Sequence, residues 1–169
     1  MTKTEVALLL KKLVMRLKRD YAKNLVFVIH HGSWATGEAT PDSDVDFLVG
    51  LGRTERKDLI KSKKILREKQ FQSVTLLLFS ALDMENYIPH GWHQFQYGAK
   101  LLYGKCPLPK PTRAQEISEI KKHADEIGFW GRYLFIHRHP RDRLVRSIYW
   151  RLKEVKICLK VYASVKTGK

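Results

Sequence analysis

A polar segment set between two short apolar runs constrains the fold of this chain more than any other feature. The first run, 25–29, is unbroken and β-branched, as in a buried strand. Gly32 and Ser33 interrupt it and open a short helical turn, and the sequence Thr-Pro-Asp-Ser at 40–43 predicts a tight turn. A second strand is predicted over 45–49. The segment therefore predicts a strand, a short helix, a turn and a strand in succession.

The polar residues of this segment suit a phosphate and a cation. A strand that enters a helix at Gly32 and Ser33 presents free backbone N–H groups, and glycine lets the backbone approach a ligand closely. Asp44 and Asp46 are two residues apart, so on a strand their carboxylates project from the same face. Mg²⁺ prefers a few carboxylate oxygens together with substrate phosphates. The alternative is a solvated turn beside a plain helix cap, which explains each piece but not the spacing.

The joined pattern of Gly32-Ser33, ten residues, and then Asp44-x-Asp46 resembles the signature of the minimal nucleotidyltransferases of the DNA polymerase β-like superfamily. The resemblance covers roughly residues 5–106. It implies an α/β (α+β) fold with a small mixed sheet. It also implies that Gly32 and Ser33 bind the phosphates of ATP or another NTP. Asp44 and Asp46 would then bind Mg²⁺, with Mn²⁺ as an alternative, and act as the catalytic residues.

The chain departs from the family pattern at the third carboxylate, which the family usually carries on the next strand. By the resemblance, Thr75 stands at that position, and a hydroxyl is a weak Mg²⁺ ligand and a poor base. Asp83 and Glu85 lie just beyond that strand and are the candidate replacements. Thr36 and Thr40 stand where relatives often carry arginine.

The resemblance implies a Mg²⁺-dependent transfer of a nucleoside monophosphate, AMP from ATP by expectation, to a hydroxyl acceptor. It further implies an antitoxin-like setting in which a helical HEPN-type protein is the partner. The alternative is a catalytically impaired nucleotide- and metal-binding module that acts through protein or RNA binding. The missing third carboxylate keeps both interpretations open.

The expected domains are a nucleotidyltransferase domain at 1–106, a proline-rich linker at 107–112 and a helical segment at 113–169. A long helix is predicted over 142–165. It carries basic residues seven apart and a stripe of apolar residues at helical spacing. The basic residues are Arg146, Lys153 and Lys160, and the apolar stripe contains Val145, Ile148, Leu152, Val155, Leu159 and Tyr162.

Charge is the unusual part of the composition, because 32 basic and 17 acidic residues give a net charge of +15. Such a chain attracts polyanions, so RNA is a candidate partner, although a solvated lysine-rich surface explains the charge equally well. Cys106 and Cys158 lack metal-ligand spacing, and no signal peptide is recognisable. We therefore expect a cytoplasmic protein with no membrane partner, and homo-oligomerisation is left open.

Two pairs of histidines invite a functional interpretation. His30 and His31 lie beside Gly32, but a histidine pair at a strand end is more often structural. His90 and His93 are spaced one residue too closely for a helical zinc pair, and packing is the simpler interpretation.

Overall fold

The computed structural model describes four stretches of the chain, residues 1–85, 98–105, 112–137 and 140–167. They group into two compact units. The first unit contains the first two stretches and the second unit contains the last two. The expected linker, apart from its last residue, lies outside the described residues, as do the second pair of histidines.

A four-stranded mixed sheet forms the centre of the first unit. Strands β1 (Leu25–His31) and β2 (Val45–Leu51) pair antiparallel, β3 (Val74–Phe79) runs parallel to β2, and β4 (Lys100–Gly104) pairs antiparallel with β1. The order across the sheet is β3-β2-β1-β4. This mixed sheet with its helices confirms the predicted α/β (α+β) fold class.

Helix α1 (Lys3–Tyr21) supplies much of the core on one face of the sheet. Thr2 caps its start, because the Thr2 side chain accepts from the backbone of Glu5 while the Glu5 side chain accepts from the backbone of Thr2. The buried side chains of α1 follow the helical period and pack with alternate residues of β2. The α1 side chains are Val6, Leu9, Leu13, Leu17 and Tyr21, and those of β2 are Val45, Phe47, Val49 and Leu51.

Three shorter helices complete the first unit. Helix α2 (Gly32–Thr36) links β1 to the polar segment, α3 (Arg56–Leu66) forms the crossover from β2 to β3, and α4 (Ala81–Glu85) follows β3. Single 3₁₀ turns lie at Ala22–Asn24 and Lys69–Phe71. The crossover brings β2 and β3 side by side in parallel, which sets the register at the polar segment.

The second unit is helical, as the sequence predicts. Helix α5 (Arg113–Ile136) begins with a capping box between Thr112 and Gln115, and α6 (Arg141–Thr167) packs against it. Among the residues described in this unit, Glu119 and Val161 are the buried side chains. Within the described stretches, none of the helices combines the length and apolarity needed to cross a bilayer.

Candidate active site

The bend between β1 and α2 lies directly against a carboxylate of β2. Gly32 has a φ of +76°, a conformation that glycine adopts at little cost. A Cβ at this position would overlap Oδ2 of Asp46 and lie 2.9 Å from its Cγ. The absence of a side chain at Gly32 is therefore what lets the Asp46 carboxylate approach the start of α2.

Local hydrogen bonds determine the backbone conformation of the segment that leads to Asp44. The indole N–H of Trp34 donates to the carbonyl of Ser43 at 3.1 Å, and the Ser43 amide donates to the carbonyl of Thr40 at 3.0 Å, closing the predicted turn. The Val45 amide then joins the ladder with β3. Asp44 therefore lies one residue before β2 and is exposed at the N-terminal end of that strand.

Thr75 lies between the two carboxylates. In the parallel pairing of β2 and β3 it is the register partner of Asp46. Its hydroxyl also donates a hydrogen bond to Oδ2 of Asp44. Thr75 is therefore a neighbour of both Asp44 and Asp46. By the resemblance, its position is the one that carries the third carboxylate in the family.

The two candidate replacements for that carboxylate lie at the wrong end of β3. The Asp83 carboxylate accepts from the Ser80 amide at 2.7 Å and from the Ser80 hydroxyl at 2.6 Å, and these bonds hold its pKa below the ordinary value. Five residues of extended chain separate Thr75 from Ser80, which is about 16 Å. Glu85 is further along α4. The expectation that either residue supplies the third carboxylate within this chain is therefore not supported by the strand geometry.

A buried histidine on β1 lies in line with Asp46 and Thr75 across the sheet. His31 pairs with Asp46 in the antiparallel register of β1 and β2, so His31, Asp46 and Thr75 share one face. Burial lowers the pKa of His31 to about 4, and the neighbouring His30 contributes to the decrease. The imidazole is therefore neutral at pH 7 and adds no positive charge beside the carboxylates.

His30 faces the opposite side of the sheet and packs on the ring of Phe47, with ring centroids 5.8 Å apart. It is 2% exposed, and burial together with the charge of Lys100 lowers its pKa to about 4. No protein group bonds either ring nitrogen of His30 among the described residues. This histidine belongs to the core, in agreement with its structural interpretation.

The protein supplies too few oxygen ligands to surround a cation by itself, so the site suits a cation that is also bound by a substrate. The carboxylates of Asp44 and Asp46 and the hydroxyl of Thr75 lie at the same end of β2 and β3. The described residues contain no cluster of three or more His, Cys, Asp or Glu side chains arranged around one point. Mg²⁺ commonly retains waters and takes only one or two protein carboxylates beside substrate phosphates. The donor set therefore fits Mg²⁺ that is completed by a nucleotide.

The family comparison bears on this part of the chain. Residues 10–84 match the family model described as "Nucleotidyltransferase domain". The matched residues contain the C-terminal part of α1, the bend at Gly32, both aspartates and Thr75. This part of the chain is a nucleotidyltransferase domain. A comparison with curated proteins gave no sequence match.

Solved structures also resemble the chain at low sequence identity. A toxin-antitoxin structure with AMP-PNP has a TM-score of 0.42 at 15% identity, covering 83% of this chain and 98% of its own. Spectinomycin adenyltransferase AAD(9) from Enterococcus faecialis, with ATP and spectinomycin, has a TM-score of 0.46 at 16% identity, covering 93% and 89%. A tri-AMPylated Shewanella oneidensis HEPN toxin in complex with MNT antitoxin has a TM-score of 0.38 at 14% identity, covering 85% and 98%.

Within the nucleotidyltransferase domain, the sequence left two features of the site unassigned. One is the place of His31 in the row with Asp46, because the pairing register of β1 and β2 is a tertiary property. The other is the hydrogen bond from Thr75 to Asp44. The residue types were visible in the sequence, but no local signal specifies which of them meet.

Proposed function

We propose that the nucleotidyltransferase domain is an enzyme that uses Mg²⁺ to move AMP from ATP to a hydroxyl acceptor. The observation that carries the proposal is the contact of the glycine bend with Asp46, together with the convergence of Asp44 and Asp46 on Thr75. A backbone that receives phosphates and a pair of carboxylates that holds a cation must adjoin each other for this reaction.

Each group has a role in the proposed reaction. Gly32 and Ser33 bind the β- and γ-phosphates, and Asp44 and Asp46 hold the metal ion, which supplies charge neutralisation when it is bound. The acceptor oxygen forms a bond to the α-phosphorus while the bond from that phosphorus to the pyrophosphate oxygen breaks. The proton of the acceptor hydroxyl passes to solvent water, and pyrophosphate leaves with the electron pair of the broken bond.

The second candidate is a module that binds nucleotide and metal without turnover. The observation that favours it is Thr75, because a hydroxyl in place of the third carboxylate cannot act as an effective base for the acceptor. General-base catalysis contributes about 10²–10⁴-fold to a rate. A domain without that contribution would bind ATP and transfer AMP slowly or not at all.

Transfer from α-labelled ATP tests the enzymatic proposal. We expect label to move from ATP with Mg²⁺ to an acceptor, and we expect Asp46→Asn to abolish the transfer because a cation ligand is lost. Asp83→Asn is the matched control, since the same chemical change then falls in α4, beyond the opposite end of β3 from Thr75. Undiminished transfer by the Asp46→Asn variant would contradict the assignment of the site.

Thr75→Asp separates the two candidates. If the domain is an impaired module, the natural chain binds ATP in a metal-dependent way without transfer, and the restored carboxylate generates transfer. If the domain is an enzyme, the natural chain already transfers, and the variant changes only the rate. ATP binding that does not depend on Asp44 or Asp46 would contradict both candidates.

For the acceptor, we propose a hydroxyl on a helical HEPN-type partner protein, the setting that the sequence resemblance implies. Labelled ATP is incubated with the protein in a cell extract that is then separated into protein, RNA and small-molecule fractions. Label in one protein band supports this acceptor class. Label confined to the RNA or small-molecule fraction would contradict it and leave the transferase activity established.

A further inference from the structure

Thr75 carries a hydroxyl that lies against the two carboxylates of the candidate active site. It is the second residue of β3, which is an edge strand, and its side chain is exposed. Its register partner on β2 is Asp46, and its hydroxyl donates a hydrogen bond to Oδ2 of Asp44. The hydroxyl is therefore open to a molecule that binds beside these carboxylates.

A hydroxyl that donates to a carboxylate has the arrangement of an activated nucleophile. Threonine is weakly nucleophilic by itself and becomes reactive when an adjacent base takes its proton. Oδ2 of Asp44 is placed to be that base, because it already accepts the hydrogen bond of the Thr75 hydroxyl. A carboxylate has two oxygens, so the Asp44 side chain can accept this bond and still contribute an oxygen to a cation.

The phosphate-binding bend adjoins the same group of side chains. A Cβ at Gly32 would overlap Oδ2 of Asp46, which is the register partner of Thr75. A nucleotide bound by its phosphates at Gly32 and Ser33, with its cation held by Asp46, therefore brings its phosphates towards Thr75. An acceptor that belongs to the site itself needs no second binding step before it reacts.

We propose that Thr75 is itself an acceptor, so that the chain transfers AMP from ATP to its own Thr75 hydroxyl. This inference rests on the proposed function, because it uses the same nucleotide and cation. Oγ1 of Thr75 forms a bond to the α-phosphorus, while the bond from that phosphorus to the pyrophosphate oxygen breaks and pyrophosphate leaves with its electron pair. The proton of the hydroxyl passes to Oδ2 of Asp44 and then to solvent water. The product is a phosphodiester that joins Thr75 to adenosine.

Mass spectrometry of the intact full chain, after incubation with Mg²⁺ and ATP, tests the proposal. We expect a gain of the mass of one adenylyl group, and proteolysis should assign it to the peptide that contains Thr75. Thr75→Val preserves the shape of the side chain and should abolish the gain, whereas Thr75→Ser keeps a hydroxyl and should retain it. Thr54→Val is the matched control, since the same change then falls beyond the opposite end of β2, and it should gain mass like the natural chain.

The product also gives a readout that does not depend on turnover. An adenylylated Thr75 no longer donates to Asp44, and its phosphodiester adds a negative charge beside two carboxylates. By isothermal titration calorimetry, the adenylylated chain should bind MgATP at least about tenfold more weakly than the Thr75→Val variant. Equal affinity would place the adduct away from the carboxylates and overturn the assignment.

The remaining outcomes separate this proposal from the proposed function. No gain in mass by the natural chain, an equal gain by Thr75→Val, or an adduct on another residue would overturn self-transfer. If the natural chain gains no mass but moves label from ATP to another acceptor in a cell extract, self-transfer fails and the proposed function stands. If neither product forms and Asp46→Asn binds MgATP like the natural chain, both fail.

Discussion

Gly32 and Gly37 permit a direct test of the contact on which the candidate site depends. Both glycines have a positive φ, +76° and +80°, so alanine strains the backbone at either position. A Cβ at Gly32 overlaps the Asp46 carboxylate, whereas a Cβ at Gly37 meets nothing within 4 Å. We expect Gly32→Ala to weaken MgATP binding at least about tenfold by displacing that carboxylate, as measured by isothermal titration calorimetry.

Gly37→Ala separates this effect from backbone strain. We expect it to lower the free energy of unfolding by about 1–2 kcal/mol, the cost of a left-handed conformation for alanine, with MgATP affinity unchanged. If both variants lose affinity alike, strain in the bend and not the position of Asp46 controls nucleotide binding.

The buried imidazole of His30 makes stability depend on pH. Its pKa is about 4 in the folded protein and about 6.5 in the unfolded chain, so the unfolded chain binds more protons between these values. The free energy of unfolding therefore falls as the pH drops through this window. From pH 7 to pH 5, His30 accounts for a loss of about 2 kcal/mol.

His30→Phe removes this proton-binding site while preserving the ring against Phe47. We expect the denaturant midpoint of the variant to change less between pH 7 and pH 5 than that of the natural chain. Groups flanking the ring are His31 on the same strand and Lys100 on β4, and the variant leaves both in place.

Among the helices and strands, α1 packs one side of its surface against the sheet. Leu13 is fully buried in the core cluster, whereas Leu8, on the same helix, is 53% exposed. Leu13→Ala leaves a cavity and should lower the free energy of unfolding by about 2–5 kcal/mol. Leu8→Ala is the matched control and should change it by less than about 0.5 kcal/mol. Similar losses in urea unfolding would contradict this packing of α1.

Periodicity and turn residues were sufficient to predict the elements around the site. The β-branched runs of β1 and β2 and the Thr40–Ser43 turn each have a local cause, and the structure places both strands within two residues of the prediction. Strand pairing has no such local cause. Whether Thr75 or Asp83 reaches Asp44 depends on the direction and register of β3, which the crossover helix sets.

The packing partner of α6, like the pairing of the strands, has no local signal in the sequence. Its apolar stripe was readable from the sequence, but helical spacing does not reveal what covers a stripe. The structure leaves Leu152 and Leu159 exposed and uses Cys158 and Val161 for the contact with α5. Amphipathicity thus predicted the helix correctly and left its partner open.

For the whole molecule, buried apolar area and charge are distributed unequally. The first unit contains nearly all of the buried core among the described residues, from α1 across the sheet. The second unit carries an excess of basic residues and leaves large aromatic and aliphatic side chains in water, among them Phe135 and Leu152. Since packing of an apolar face supplies most helical stability, the longest helices of this chain should be its least stable elements.

Hydrogen exchange followed by mass spectrometry tests this ranking in the full chain. We expect amides of β1 and β2 to exchange only through global unfolding of the first unit, because their side chains are almost all buried. Amides of α5 and α6 should open with a free energy at least about 2 kcal/mol lower, which corresponds to about 30-fold faster exchange at the same intrinsic rate. Protection of α6 equal to that of β2 would show that the exposed apolar stripe of α6 does not limit its stability.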